Sequence, residues 1–178
     1  MINESYYWKQ PLLESAVRLT KLQKVTEINE ETYVFLEKDI FISFYAIRKL
    51  LDTLKVTNSL KIKKYSIFWH PYVGDKVTWR NNHKIDELYD LARINTEQRD
   101  LWFIASRLIH SFIFTVCLNE NGGFDGVIFT SDTDKDKKLY ILSATEIINI
   151  YREVGNNEVT KLSWTKDPET GTETTICS

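Results

Sequence analysis

The run LWFIASRLIHSFIFTVCL, residues 101–118, is the most hydrophobic segment of the chain, yet it carries ionisable groups in its middle. Of its 18 residues, 13 are apolar, which approaches the length of a membrane span. Arg107 and His110 lie at its centre, where ionisable groups are costly in lipid. The pattern therefore predicts a helix that is buried inside a protein and has one polar side.

The composition is that of an ordinary soluble domain. The chain has 178 residues, of which 43% are hydrophobic and 27% charged. Its net charge of −2 gives no general attraction to nucleic acid or anionic lipid. The first residues, MINESYYWKQP, lack the pattern of a secretory signal, and Cys117 and Cys177 form no disulfide framework or metal-ligand spacing. We expect a cytoplasmic protein with no membrane association and no cofactor.

The segments before the opening run have helical periodicity, and those after it do not. Four helices are predicted: residues 4–24, residues 30–54 after the N-cap Asn29, the short segment NHKIDELYDLAR, and a long one from Asn95 through residue 118. Helices joined in this order predict an antiparallel bundle. Residues 55–80 break the helical period, and we interpret them as an aromatic connector that wraps the bundle, with a short strand at 65–69.

The remaining residues predict strands. FDGVIFTS and KKLYIL flank a polar DTDKD turn, and VTKLSWTK and TETTI flank DPETG, so each pair is typical of a hairpin. Ser143 and Glu146 form a capping box for a short helix that Gly155 ends. The predicted fold is α+β: an antiparallel four-helix bundle over residues 1–118, and a hairpin, helix and hairpin over 119–178 that pack on it as a small antiparallel sheet.

The polar side of the last bundle helix is a candidate catalytic site. At 100° per residue, Arg99, Ser106 and His110 project within about 40° of one another, and Arg107 lies about 60° beyond. Arginines on such a face could pair with acids on a neighbouring helix, such as Glu37, Asp39, Asp86 or Asp90. A purely structural role for these side chains is the competing interpretation.

The order of four helices with a late LIHS resembles the HEPN superfamily, which comprises helical bundles of toxin–antitoxin, abortive-infection and CRISPR-associated proteins. Active members pair an Arg with a His for metal-independent RNA cleavage across a dimer; the His moves a proton and the Arg holds charge developing on phosphate. His110 matches the motif His and Ser106 its polar position, while Ala105 stands where the Arg belongs. The resemblance implies a non-catalytic helical bundle that forms a homodimer.

The connector is a candidate binding surface because it interleaves cations with aromatic rings. Such a combination suits single-stranded nucleic acid or a protein partner, and it also suits a segment that seals a core while its lysines stay in water. The candidate binding residues are Lys61, Lys63, Lys64, Tyr65, Trp69, Trp79 and Arg80.

Metal binding has little support in the sequence. His83 and Glu87 stand four residues apart on a predicted helix, but no third ligand has a recognisable spacing. The aspartates of the DTDKD turn begin like a calcium loop, but Lys137 and Ser143 occupy the positions where that loop needs Gly and Glu. No metal site is predicted.

Three functions remain open from the sequence. The first is a HEPN-like module that binds RNA or protein without catalysis, in a defence or toxin–antitoxin setting. The second is a metal-independent ribonuclease that uses His110 with Arg107 or Arg99. The third is a structural subunit of a larger assembly.

Overall fold

The structure is a computed structural model that describes residues 2–178, and it is organised around a five-stranded antiparallel sheet. The elements in chain order are α1 (Tyr6–Leu22), α2 (Glu30–Leu51), α3 (Asn58–Ile62), β1 (Lys64–Pro71), α4 (Ile85–Leu88), β2 (Asn95–Asp100), α5 (Leu101–Ile109), β3 (Ser111–Leu118), β4 (Phe124–Ser131), β5 (Lys138–Ser143), α6 (Ala144–Asn156), β6 (Leu162–Lys166) and β7 (Glu173–Cys177). None of the helices among these residues is long and apolar enough to cross a membrane.

The strand order in the large sheet is β2-β1-β5-β4-β3. Strands β3, β4 and β5 follow one another as a meander, whereas β1 pairs with β5 far along the chain, with Trp69 opposite Tyr140. Helix α5 crosses from edge strand β2 to the opposite edge strand β3. The sheet thus combines strands from both sides of residue 118.

Helices α2, α5 and α6 pack on one face of the sheet, and α1 packs on α6 and α2, so that all four helices share the main core. The alternating residues of β4 show this arrangement, because Val127 and Phe129 are fully buried in the same cluster as Phe44 of α2 and Tyr151 of α6. The rings of Phe44 and Tyr151 lie 5.7 Å apart, which links the two helices directly.

The loop between β1 and β2 covers part of the other face. Val77 and the short helix α4 pack there in a second apolar cluster, with Leu88 and Tyr89 of the loop over Ile113 and Leu139 of the sheet. The Val77 amide donates to Asp136 Oδ1 (2.8 Å). The loop is therefore fixed to the end of the sheet at which β4 turns into β5.

Residues 101–118, the hydrophobic run, do not form a single helix. Helix α5 ends at Ile109, His110 is its C-cap, and Ser111 begins strand β3. Its true N-cap is Asp100, which accepts from the Phe103 amide (2.9 Å), while the expected cap Asn95 begins strand β2. The reason is that SFIFTVCL is rich in β-branched and aromatic residues, which favour a strand, and this strand pairs with β4 along the edge of the sheet.

The predicted four-helix bundle is therefore wrong, and the HEPN resemblance with it. The third predicted helix shrinks to the four residues of α4, and the fourth predicted helix is divided among β2, α5 and β3. The sheet is large rather than small, since three of its five strands come from residues assigned to the bundle or its connector. An α+β fold with a central sheet is not the helical bundle that characterises HEPN proteins.

Candidate functional site

The turn between β4 and β5, residues 132–137, brings together several of the side chains singled out in the sequence. We call this turn and the side chains in contact with it the turn site. On one side its Asp134 contacts Arg107 of α5, with Nε and Oδ2 2.6 Å apart. On the other side the Lys135 ammonium lies 4.0 Å from the centre of the Phe112 ring. The turn thus joins a charged cluster to an aromatic stack.

The charged cluster is centred on the ring of Phe103. The guanidinium carbons of Arg99 and Arg107 lie 4.4 and 4.9 Å from the centre of this ring. Arg99 donates to Glu97 through Nε (2.9 Å), and Asp134 binds Arg107, so each arginine meets a carboxylate that is mostly buried. The cluster fixes the turn in place and leaves neither arginine without a counter-ion.

Glu97 also reaches across the neighbouring strand. It accepts a hydrogen bond from Lys138 Nζ (2.5 Å) of β5, and this ammonium lies 4.2 Å from the centre of the Trp69 ring on the intervening strand β1. Burial alone would raise the pKa of Glu97, but hydrogen bonds from Arg99 and Lys138 outweigh burial and hold the pKa below its usual value. Glu97 is therefore an ionised anchor of edge strand β2.

The aromatic stack is the exposed part of the turn site. The Trp79 ring stacks on Phe112 with 4.2 Å between ring centres and a tilt of 40°. Trp79 is nevertheless 76% exposed, the largest exposure of any large hydrophobic residue in the described chain. Arg80 beside it is exposed as well. A tryptophan that is held by a ring and open to solvent can take a further flat or apolar group on its free side.

The loop that carries Trp79 is held in place by a buried side chain and by hydrogen bonds. Buried Val77 anchors it in the second apolar cluster, and Asn81 Oδ1 accepts from both the amide (2.7 Å) and the hydroxyl (2.9 Å) of Thr78. The side-chain Nδ2 of Asn81 in turn donates to the backbone carbonyl of Lys76 (3.1 Å). These bonds close a turn with Trp79 and Arg80 at its tip, so both side chains are presented from a fixed backbone.

The structure separates the four candidate catalytic residues. His110 is exposed at the end of α5. Ser106 is buried and accepts from Arg48 Nε of α2 (3.2 Å). Arg99 lies on strand β2 rather than on the helix, so it shares no helical face with the other three. The acids that bind the two arginines are Glu97 and Asp134, whereas Asp39 pairs with Arg18.

The seven candidate binding residues divide into two groups. Five of them make internal contacts: Lys61 donates to the carbonyl of Thr53, Lys63 pairs with Glu153, Lys64 pairs with Asp100, Tyr65 is buried and donates to Glu153, and Trp69 lies under Lys138. Trp79 and Arg80 alone of the seven lie at the exposed tip. The connector thus packs most of its rings against the rest of the fold and presents Trp79 and Arg80 at the tip of its turn.

The sequence pattern does not identify Phe112 or Lys135 as site residues. It predicts the interior of a helix for Phe112 and a solvated turn for Lys135. The available signal was the change after His110 from helical spacing to a continuous β-branched and aromatic segment. A strand starting there places Phe112 at its beginning, next to the turn after β4.

Residues 2–178 contain no group of three or more His, Cys, Asp or Glu side chains that could hold a metal ion. Comparison with protein-family models, curated proteins and solved structures finds no match to this chain. The case for a function therefore depends on the geometry of the turn site.

Proposed function

We propose that this chain is a non-catalytic binding protein that contacts a protein partner through Trp79 and Arg80. The observation that supports the proposal is the exposed Trp79 ring, which is stacked on Phe112 at the tip of a hydrogen-bonded turn. Trp and Arg, with Tyr, are enriched among the residues that contribute most of the binding energy of protein interfaces. A pre-formed turn also reduces the entropy that is lost when an interface forms.

A protein partner suits the charge around the tip better than single-stranded RNA does. Lys76 and Arg80 are exposed there, but exposed Asp75 and Asp86 lie in the same loop, and the whole chain carries a net charge of −2. Proteins that bind single strands line their grooves with an excess of cations. A surface of mixed charge around an aromatic anchor is typical of protein interfaces.

A ribonuclease has less support. Its two candidate phosphate-binding groups, Arg99 and Arg107, already bind Glu97 and Asp134, and His110 lines none of the main cavities of the described chain. We also propose a cytoplasmic location, which the two unpaired cysteines, Cys117 and Cys177, support.

The test compares what immobilised variants retain from an extract of the source cells. Trp79→Ala and Arg80→Ala should each retain at least about tenfold less of a specific protein than wild type does, because truncating an interface anchor costs about 2 kcal/mol or more. Trp164→Ala is the matched control, since Trp164 is also exposed (57%) but lies on the β6–β7 hairpin. Titration of the purified partner then measures the change in Kd directly.

Two outcomes overturn the proposal. One is equal retention of every protein by wild type and Trp79→Ala. The other is binding of a single-stranded oligouridine that requires Trp79 and weakens steeply with salt, as phosphate contacts do. The second result would assign the tip to RNA.

A further inference from the structure

The outward face of α2 carries a stripe of exposed apolar residues, one of which, Phe35, has the Arg18 guanidinium carbon of α1 5.5 Å from its ring centre. Ile42 is 64% exposed and Tyr45 49% exposed, and Phe35 lies on the same side of the helix. At 100° per residue, the six residues Glu31, Phe35, Lys38, Ile42, Tyr45 and Lys49 project within an arc of about 80°. A groove of about 500 Å³ between α1 and α2 runs beside this stripe, and Phe35 and Ile42 help to line it.

The stripe is complementary to the same stripe on a second copy of α2 that runs antiparallel to the first. Its residues stand in pairs at equal distances on either side of Ile40: Glu31 and Lys49, Phe35 and Tyr45, and Lys38 and Ile42. Two antiparallel copies of α2 whose two-fold axis crosses the stripe at the level of Ile40 therefore place each residue opposite its counterpart. Glu31 then faces Lys49, the two aromatic rings meet, and the stem of Lys38 covers Ile42.

The charged residues at the ends of the stripe are free to make these contacts. Within residues 2–178 neither Glu31 nor Lys49 takes part in an ion pair. Lys49 lies over the Tyr45 ring, with 5.5 Å from Nζ to the ring centre, so its ammonium is already directed along the stripe. About 27 Å of helix separates the two residues at 1.5 Å per residue.

We propose that this face binds a second copy of the chain, with the two α2 helices antiparallel. Charge complementarity selects that occupant, because the half of the stripe before Ile40 complements the half after it, as a contact between two antiparallel copies requires. In such an isologous contact every interaction occurs twice. The proposal is independent of the Trp79 tip, and Trp79→Ala should leave the oligomeric state unchanged.

The test is a charge exchange followed by measurement of mass in solution. Wild type should have twice the chain mass of 21.0 kDa. Glu31→Lys and Lys49→Glu should each weaken association by about tenfold or more, because each replaces two attractions with two repulsions. The double variant should associate again. A mixture of the two single variants should form a heterodimer, since its charges are complementary at both ends.

Glu120→Lys, an exposed change in the turn between β3 and β4, is the matched control and should leave association unchanged. Ile42→Glu should also weaken association, and because Ile42 is exposed the thermal unfolding of the monomer should change little. A monomeric wild type overturns the proposal. A dimer that none of the α2 variants weakens, or single variants that the exchange fails to rescue, overturns it as well.

Discussion

At the scale of single residues, Glu97 links edge strand β2 to the interior of the sheet. It is mostly buried on β2, and it accepts from Arg99 on its own strand and from Lys138 two strands away. Its contact with Lys138 crosses strand β1 above the ring of Trp69. The carboxylate thus links β2 to β5, and Lys138 adds a contact with β1 between them.

Glu97→Gln should lower the free energy of unfolding by about 1–3 kcal/mol at pH 7, because it leaves two cations without their shared counter-ion. The pKa of Glu97 is lower in the folded chain than in the unfolded chain. Its stabilisation is therefore complete above the unfolded pKa and is lost as pH falls through the folded pKa. Urea unfolding of wild type and variant should differ more at pH 7 than at pH 3.

Glu173→Gln provides the control for this measurement. Glu173 pairs with Lys166 at 3.8 Å, and both side chains are mainly exposed, so the change should stay within about 0.5 kcal/mol at either pH. An equal loss of stability at pH 7 and pH 3 for Glu97→Gln would contradict the role of its charge.

At the scale of elements, strand β4 needs a glycine where it pairs with the end of β5. Gly126 has a φ of 142°, and a Cβ there would lie 2.3 Å from the carbonyl oxygen of Leu142. Gly126 is opposite Ser143 in the ladder, and Ser143 is the N-cap of α6, accepting from the Glu146 amide. A displaced β4 would therefore disturb both the sheet and the start of the helix.

Gly126→Ala should cost about 3 kcal/mol or more, because a backbone atom on β5 blocks the methyl group and the dihedral is strained. Gly171→Ala is the comparison: its φ is 67°, but a Cβ there meets no atom within 4 Å, so strain alone should cost about 1 kcal/mol. Chemical unfolding of the two variants measures the difference. Similar losses would mean that close packing at Gly126 is unimportant.

Local signals predicted several elements well. The helices at 4–24 and 30–54 match α1 and α2, and Asn29 and Ser143 are both N-caps that accept from a backbone amide. The two C-terminal hairpins match β4–β5 and β6–β7. In each case the residues that determine the element are its own neighbours in sequence, so pattern and capping suffice.

The secondary structure of residues 101–118 and the position of the candidate site are harder to predict, and both for the same reason. Residues 111–118 are a short, largely apolar segment, and the spacing of apolar residues in such a segment cannot by itself separate a strand from a helix. The break at His110 decides where Phe112 lies, and with it the stack under Trp79. The exposure of Trp79 depends on which aromatic residues are buried by tertiary packing, and local sequence does not determine that packing.

At the scale of the whole molecule, the pairing of β1 with β5 joins segments that are far apart in the sequence into one sheet. Phe68 lies opposite Ile141 and Trp69 opposite Tyr140, across more than 70 residues of chain. No local pattern specifies such a pairing, since it depends on which apolar faces meet after the helices pack. The β6–β7 hairpin differs, because its strands pair only with each other.

The β6–β7 hairpin should not be required for the remainder of the chain to fold. It is tied to α3 through Asn58, which accepts from the Cys177 amide (3.3 Å) and donates to the Thr175 carbonyl (3.5 Å), and Cys177 is its one buried residue. A chain that ends at residue 159 should lose about 2–3 kcal/mol, the sum of two hydrogen bonds and one small buried side chain.

The shortened chain should keep the amide chemical shifts of β1–β5 and unfold in one cooperative step. A chain that ends at residue 148 should not fold, because it lacks Tyr151 and Val154, which are fully buried in the main core. Non-cooperative unfolding of the longer fragment would show that the hairpin is part of the folding unit. Retention of the sheet shifts would instead confirm that stability resides in the five strands and the helices on one face of them.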